Sequence, residues 1–171
     1  MSEAPDFAEP LEAWRAWKVV RRAGEYSLGS VMWPALWPVG DAFTAECLAR
    51  RLFLALRRNP RHDAPDARCD CGIYAAPLHR VGQYVAEAPC RGVARVLGQV
   101  VLWGTVIECE RGFRASRAYP ASIFVPVDAG KPWRISWTEV AFGLSRYGVP
   151  VEPLAARAAD AARYLAQRRA A

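Results

Sequence analysis

The chain has 171 residues, 53% of them apolar and 23% charged, with seven Trp and a net charge of +6. That length reads as one domain able to bury its own core, and the apolar content and aromatics exclude an intrinsically disordered chain. No apolar run approaches the ~18 residues of a membrane helix, and the acidic start through Trp14 lacks the regions of a signal peptide; the expectation is a soluble, cytoplasmic domain.

Residues 1–12 read as a flexible acidic lead-in, and 13–171 as a single globular domain. Trp14 to Val20 predicts a strand, Arg22-Ala23-Gly24-Glu25 a turn, and Tyr26 to Met32 the returning strand of a hairpin. Trp33 to Gly40 is a loop, because Pro34 and Pro38 remove ladder donors; Trp33 and Trp37 would be a lid over a pocket or an apolar plug. Ala42 to Leu48 continues on an extended or short helical path. Ala49, Leu52, Phe53 and Leu56 then share one helical face, and Asn59-Pro60 stops that helix. Arg61 to Asp70 is a loop with three Asp, and Pro77 to Ala86 a short helix.

Val93 to Glu110 predicts a central strand, since both of its faces are apolar. Gly98 and Gly104 share one face of it, where they would permit bending or a bulge. Arg111-Gly112 is the turn to a partner strand, Phe113 to Tyr119, ended by Pro120. Ser122 to Val127 makes another short strand. Thr138 to Tyr147 predicts a helix with Gly148 at its C′ position, and Pro153 to Arg169 an Ala-rich C-terminal helix. The sum is an α+β domain: a strongly bent antiparallel sheet or partial β-barrel with peripheral helices and a C-terminal helix.

The basic charge divides unevenly. Of 23 basic residues 21 are Arg, a skew that codon usage in a GC-rich genome produces by itself. The first twelve residues carry four acids and no base, so residues 13–171 hold +10. Arg50, Arg51, Arg57, Arg58 and Arg61 cluster without an intervening acid. Such a cluster can neutralise phosphates or form a solvated helix face. On the strand from Phe113, Arg114 and Arg117 with nearby aromatics could stack bases, or snorkel beside a core.

Five Cys, an odd number, do not read as a disulfide framework. Cys69 and Cys71, followed by Gly72, place two sulfurs on one tight turn, and His62 adds an imidazole from the same loop. Cys47 completes a Cys₃His set, a closed arrangement for structural zinc. A straight helix over residues 48–58 would be about 16 Å long, while Arg58 to His62 returns at most about 13–14 Å. Cys47 therefore needs a break or a favourable exit angle to reach the site, and Cys90 is the substitute ligand. Cys109 reads as an ordinary thiol. No Gly-x-Ser-x-Gly elbow, Walker loop or His-Glu-x-x-His pair occurs, and His79 reads as a surface residue.

Ala45-Glu46-Cys47, His62-Asp63-Ala64-Pro65, Cys69-Asp70-Cys71-Gly72-Ile73-Tyr74-Ala75, Val101-Leu102-Trp103-Gly104-Thr105-Val106, Gly112-Phe113-Arg114-Ala115 and Ala118-Tyr119-Pro120 together resemble uncharacterised small proteins of high-GC bacteria, over about residues 13–150. The resemblance supports the Cys/His quartet and implies no activity. The bent-sheet core is also similar in kind to PUA-like domains, which bind RNA or modified bases, by analogy of fold alone. The expected function is a non-enzymatic, zinc-stabilised binding or adaptor domain. Its expected ligand is nucleic acid, held by Arg50, Arg51, Arg57, Arg58, Arg114 and Arg117. Two alternatives stand beside it: a protein-interaction module docking on an acidic partner, and a small-molecule enzyme using Cys69 and Cys71.

Overall fold

The computed structural model describes residues 10–47, 62–81, 92–127 and 135–154. Among them the chain order is β1 (Leu11–Arg22), β2 (Glu25–Ser30), β3 (Phe43–Thr44), β4 (Ile73–Ala75), α1 (Leu78–Val81), β5 (Ala94–Cys109), β6 (Gly112–Pro126), α2 (Trp137–Leu144) and β7 (Val151–Leu154). A 3-10 turn, Ser145–Tyr147, extends α2. This is an α+β arrangement around one seven-stranded sheet, antiparallel except for the β6–β7 pair. The sheet is not closed into a barrel: its ladder runs β2-β1-β5-β6-β3, with β4 and β7 also on β6. Only the residue pair Trp14–Ala76 bridges β1 to the end of β4. No helix among the described residues is long and apolar enough to cross a membrane.

The long hairpin β5–β6 organises the rest. Its pairing runs from Leu97 opposite Phe124 to Cys109 opposite Gly112, with irregularities between Gln99 and Val100 and between Trp103 and Val106. Each irregularity adjoins one of the two glycines singled out in the sequence. Gly104 adopts a left-handed φ of 73°, and a Cβ at Gly98 would run into the Ser122 carbonyl and the Trp17 ring. Absence of a side chain at Gly98 is therefore what lets the Ser122 carbonyl and the Trp17 ring approach so closely beside the irregularity. Pro120 does not end the partner strand as expected. It lies opposite Val100, beside the irregularity, where its missing N–H costs no regular ladder bond. β6 therefore runs on unbroken to Pro126.

β1 also differs from expectation at its start, because Leu11 and Glu12, assigned to the flexible lead-in, pair with Leu102 and Val101. Residues 1–9, the Arg-rich helix over 49–58, most of the helix expected from Pro77 and residues 155–171 lie outside the described residues. Pro153 and Leu154 belong to β7 rather than to the start of a terminal helix. The hairpin turn at Ala23 and Gly24 has both residues at positive φ, and Gly148, at φ 69°, terminates α2 and its 3-10 extension as expected.

Alternation along β1 splits its side chains between two clusters. Trp17 and Val19 join the main core with Leu28, Val100, Val106 and Leu144, while Trp14 and Ala16 pack with Val81, Leu97 and Phe124. Trp37 is the plug: 2% exposed, it stacks on Phe43 at 5.0 Å and meets Trp17 edge-on at 5.3 Å. Trp33 stays half exposed. The outer side of β5 is dry only at its start. Arg95 and Leu97 are buried, whereas Val101, Trp103 and Ile107 are half covered, so the strand is central by pairing but not enclosed along its whole length. Tyr147 ties loop, strand and helix together: its hydroxyl accepts from Leu28 N–H and donates to Trp37 C=O, both at 2.9 Å.

Substituting Gly98→Ala should cost about 1–3 kcal/mol of stability through overpacking against Ser122 and Trp17. Urea denaturation reads the effect directly, and an unchanged midpoint would contradict the close approach of Ser122.

Candidate metal centre

The unpaired-to-β5 edge of β6 is shared by short strands in succession. Phe43 and Thr44 of β3 lie opposite Ala118 and Arg117, and Ile73, Tyr74 and Ala75 of β4 lie opposite Ala115, Arg114 and Phe113. Ala45 N–H donates to the Ser116 carbonyl at 2.7 Å between them. β3 and β4 run in the same direction along β6, so they are two halves of one interrupted strand. The chain leaves that line after Ala45 and rejoins it at Ile73.

The four predicted ligands stand at the neck of this excursion. Cys47 leaves it, and His62, Cys69 and Cys71 return to it. Their ligand atoms all lie within 4.8 Å of one another, a grouping that could hold a metal ion. Cys47 Sγ lies 3.7 Å from Cys69 Sγ, and Cys71 Sγ lies 3.5 Å from His62 Nε2. Cys47 and Cys71 are buried in a small cluster with Ala64. Cys47 is thus the fourth member of the group, and its substitute, Cys90, lies outside the described residues. The distance objection is met because β6 aligns both ends of the excursion, whatever path residues 48–61 take.

The local chain is shaped to present these groups. The Asp66 carboxylate accepts the Arg68 N–H at 2.8 Å, and Cys69 N–H donates to the Asp66 carbonyl at 3.1 Å, which winds the turn before Cys69. Gly72 sits at φ 123°, and a Cβ there would press on Pro65 and Arg114 at 3.0 and 3.2 Å. Only glycine suits both demands. Burial raises the Cys71 thiol to about 11; a backbone hydrogen bond from Asp66 opposes this, and the Cys69 and Cys47 sulfurs add to it. Crowded sulfurs cannot all ionise unless a cation shares them.

Arg114 has a role that its position in the sequence did not suggest. Expected as a surface contact for nucleic acid or an acidic partner, it is 7% exposed and lies beneath the metal loop. Its Nη1 donates to the carbonyls of Cys69, Cys71 (3.1 Å) and Asp66 (3.3 Å), and its Nε to Cys109 Sγ at 3.2 Å. Burial works against the charge, but Cys109 together with Tyr74 and Cys71 outweighs it, so the guanidinium is held above its ordinary value. Cys109 is thereby a partner of Arg114 rather than an idle thiol. The physical reason for the correction is register: Arg114 stands opposite Tyr74, directly after the Cys-x-Cys turn, and a fixed fork of donors fits the carbonyls that a tight turn leaves over. Of the other predicted contacts, Arg117 is exposed on β6, whereas Arg50, Arg51, Arg57 and Arg58 lie outside the described residues. His79 is exposed, as expected.

An open cavity of about 1590 Å³ borders the centre and extends from Cys69 and Cys71 past Ile73 and Phe43 to Arg15 and Ser30. Arg15 was not anticipated as a site residue. The available signal was the alternation Ala13-Arg15-Trp17-Val19, which puts a cation in line with core side chains. Comparison with protein-family models, with curated proteins and with solved structures finds no match to this chain.

Arg114→Met should cost about 2–3 kcal/mol, the worth of charge-assisted hydrogen bonds withdrawn from otherwise unpaired carbonyls. Arg114→Lys should recover only part of it, because an ammonium lacks the planar fork. Equal stability of all three forms in urea titration would contradict the capping role.

Proposed function

We propose that the chain is a non-enzymatic binding domain in which a structural zinc ion clasps the neck of the excursion between β3 and β4. The observation that carries this is the ligand geometry. A tetrahedral zinc with metal–sulfur bonds of about 2.3 Å and a metal–nitrogen bond of about 2.0–2.1 Å has S···S edges of about 3.8 Å and S···N edges of about 3.5–3.6 Å. The Cys47–Cys69 and Cys71–His62 separations, 3.7 and 3.5 Å, match these edges. The donor set supports the same ion, since thiolate and imidazole suit zinc whereas calcium and magnesium take oxygen.

Four protein ligands fill a tetrahedron, and a full tetrahedron favours a structural over a catalytic role. The ion would favour the thiolate of Cys71, which burial pushes the other way, and binding energy spent at the neck would become folding energy. By closing the neck it would seat Gly72 and β4 against β6, and with them one wall of the cavity. The reading as a small-molecule enzyme using Cys69 and Cys71 loses its reactive thiols to the ion. Nucleic-acid and acidic-partner binding keep exposed Arg117 and lose buried Arg114, and otherwise rest on Arg50, Arg51, Arg57 and Arg58, which lie outside the described residues; salt-dependent binding to an oligonucleotide is the measurement that tests them.

Protein purified without a chelator or His-tag should contain about one zinc per chain by elemental analysis, because a closed Cys₃His site binds the ion tightly. Cys69→Ser should lose the metal and lower Tm by about 10 °C or more. Metal-free protein that melts at the same temperature as the isolated protein would overturn the proposal.

A further inference from the structure

Arg15 is a half-buried cation on the core-facing side of β1, and no carboxylate among the described residues pairs with it. On β1, Ala13, Trp17 and Val19 all belong to the main core, and Arg15 occupies the alternating position among them. Its guanidinium carbon lies 5.3 Å from the Trp37 ring centre, so the cation rests over an aromatic that is itself stacked on Phe43. Nη1 donates to the Tyr74 carbonyl, and Nη2 reaches Ser30 Oγ at a long 3.4 Å. Nε is shielded from solvent and has no hydrogen-bond partner.

A guanidinium carries five N–H donors, and two of these are engaged among the described residues, one of them weakly. No carboxylate among the described residues pairs with it. Burial lowers its pKa to about 10, with no acidic neighbour to restore it. Stacking on Trp37 acts through the face of the guanidinium and leaves its in-plane donors unspent. A half-buried charge left this way has donors still to satisfy, and in a cavity wall a ligand can complete them.

We propose that Arg15 is the anion-binding residue of the cavity, and that its ligand is an organic carboxylate with an apolar body. Two features set this class, beside a lining that also holds Arg22, Arg80 and Arg111 with Glu46 and Asp70. The planar fork matches a carboxylate edge-on. Around it the cavity offers Phe43, Ile73, Ala75 and Phe113 as apolar surface, and the Ser30 and Thr44 hydroxyls as further polar groups. The site deepens the binding-domain reading without resting on the metal, since Arg15, Ser30, Trp37 and Phe43 all come from the sheet and the loop following β2.

The test pairs each acid with its uncharged counterpart on the full chain: decanoate against decanol, and benzoate against benzyl alcohol, by calorimetry. At least one acid should bind about tenfold or more tighter than its alcohol, and Arg15→Met should abolish that preference. Arg15→Met should also melt at the same temperature as the parent or higher, because it removes an unpaired charge and keeps an apolar stem over Trp37. Metal content measured on the same samples distinguishes this site from the zinc clasp, and should be equal in both proteins. Equal affinity for acid and alcohol, binding of neither, or a lowered melting temperature for Arg15→Met with unchanged metal would each overturn the proposal; the last would make Arg15 a structural cap for Tyr74.

Discussion

The pairing of β5 with β6 is the constraint on which the molecule depends. Once Leu97 to Cys109 are matched to Phe124 to Gly112, β5 offers its far edge to β1, and β6 offers its far edge to β4, β3 and β7. Segments far apart in sequence are thus laid end to end on a single template strand. The glycines at 98 and 104 belong to the same constraint, because two long strands with side chains at every position could not approach and bulge where these do. The metal centre follows from this arrangement. Its first and last ligands lie just outside strand halves that β6 brings into line.

Arg114 secures the excursion at one depth, and an ion at the four ligands would secure it at another. From below, Arg114 gathers the carbonyls that the Cys-x-Cys turn exposes and takes Cys109 as a further partner. From within, an ion at the four ligands would gather their lone pairs. The two would act on different groups of the same turn, Arg114 on backbone oxygens and an ion on sulfurs, so each would relieve a polarity that the other does not reach. A long excursion costs little extra closure entropy once its neck is held, which is why residues 46–72 can leave an otherwise continuous strand line without dividing the sheet.

Arg15 and Arg114 make an instructive pair. Both stand on strands of the sheet, and the sequence marks Arg114 only as a surface contact and Arg15 not at all. Arg114 is answered by three carbonyls and a sulfur, and its charge is reinforced. Arg15 is answered by one carbonyl and a distant hydroxyl, and burial weakens its charge. Satisfied donors mark a structural role and unsatisfied donors in a cavity wall mark a binding role.

Much of the local structure was legible because it depends on neighbours in the chain. Ala23-Gly24 marks the first hairpin turn, Gly148 ends α2 and its extension, and a Cys-x-Cys-Gly turn announces ligands wherever it falls. Even the quartet could be named, since the chemistry of thiolate and imidazole is a property of residue types. The continuation of β6 through Pro120, the parallel addition of β7 and the interrupted strand formed by β3 and β4 were not legible, because each depends on a partner edge that no local pattern specifies. The same holds for the arginines. Whether a cation on a strand faces water, a turn's carbonyls or an empty cavity is decided by register, and register is a relation between distant segments. The sequence by itself determined which side chains could ligate a metal and where the chain must turn; only the tertiary structure decided that those ligands meet at one neck, and that Arg114 has its partners while Arg15 lacks them.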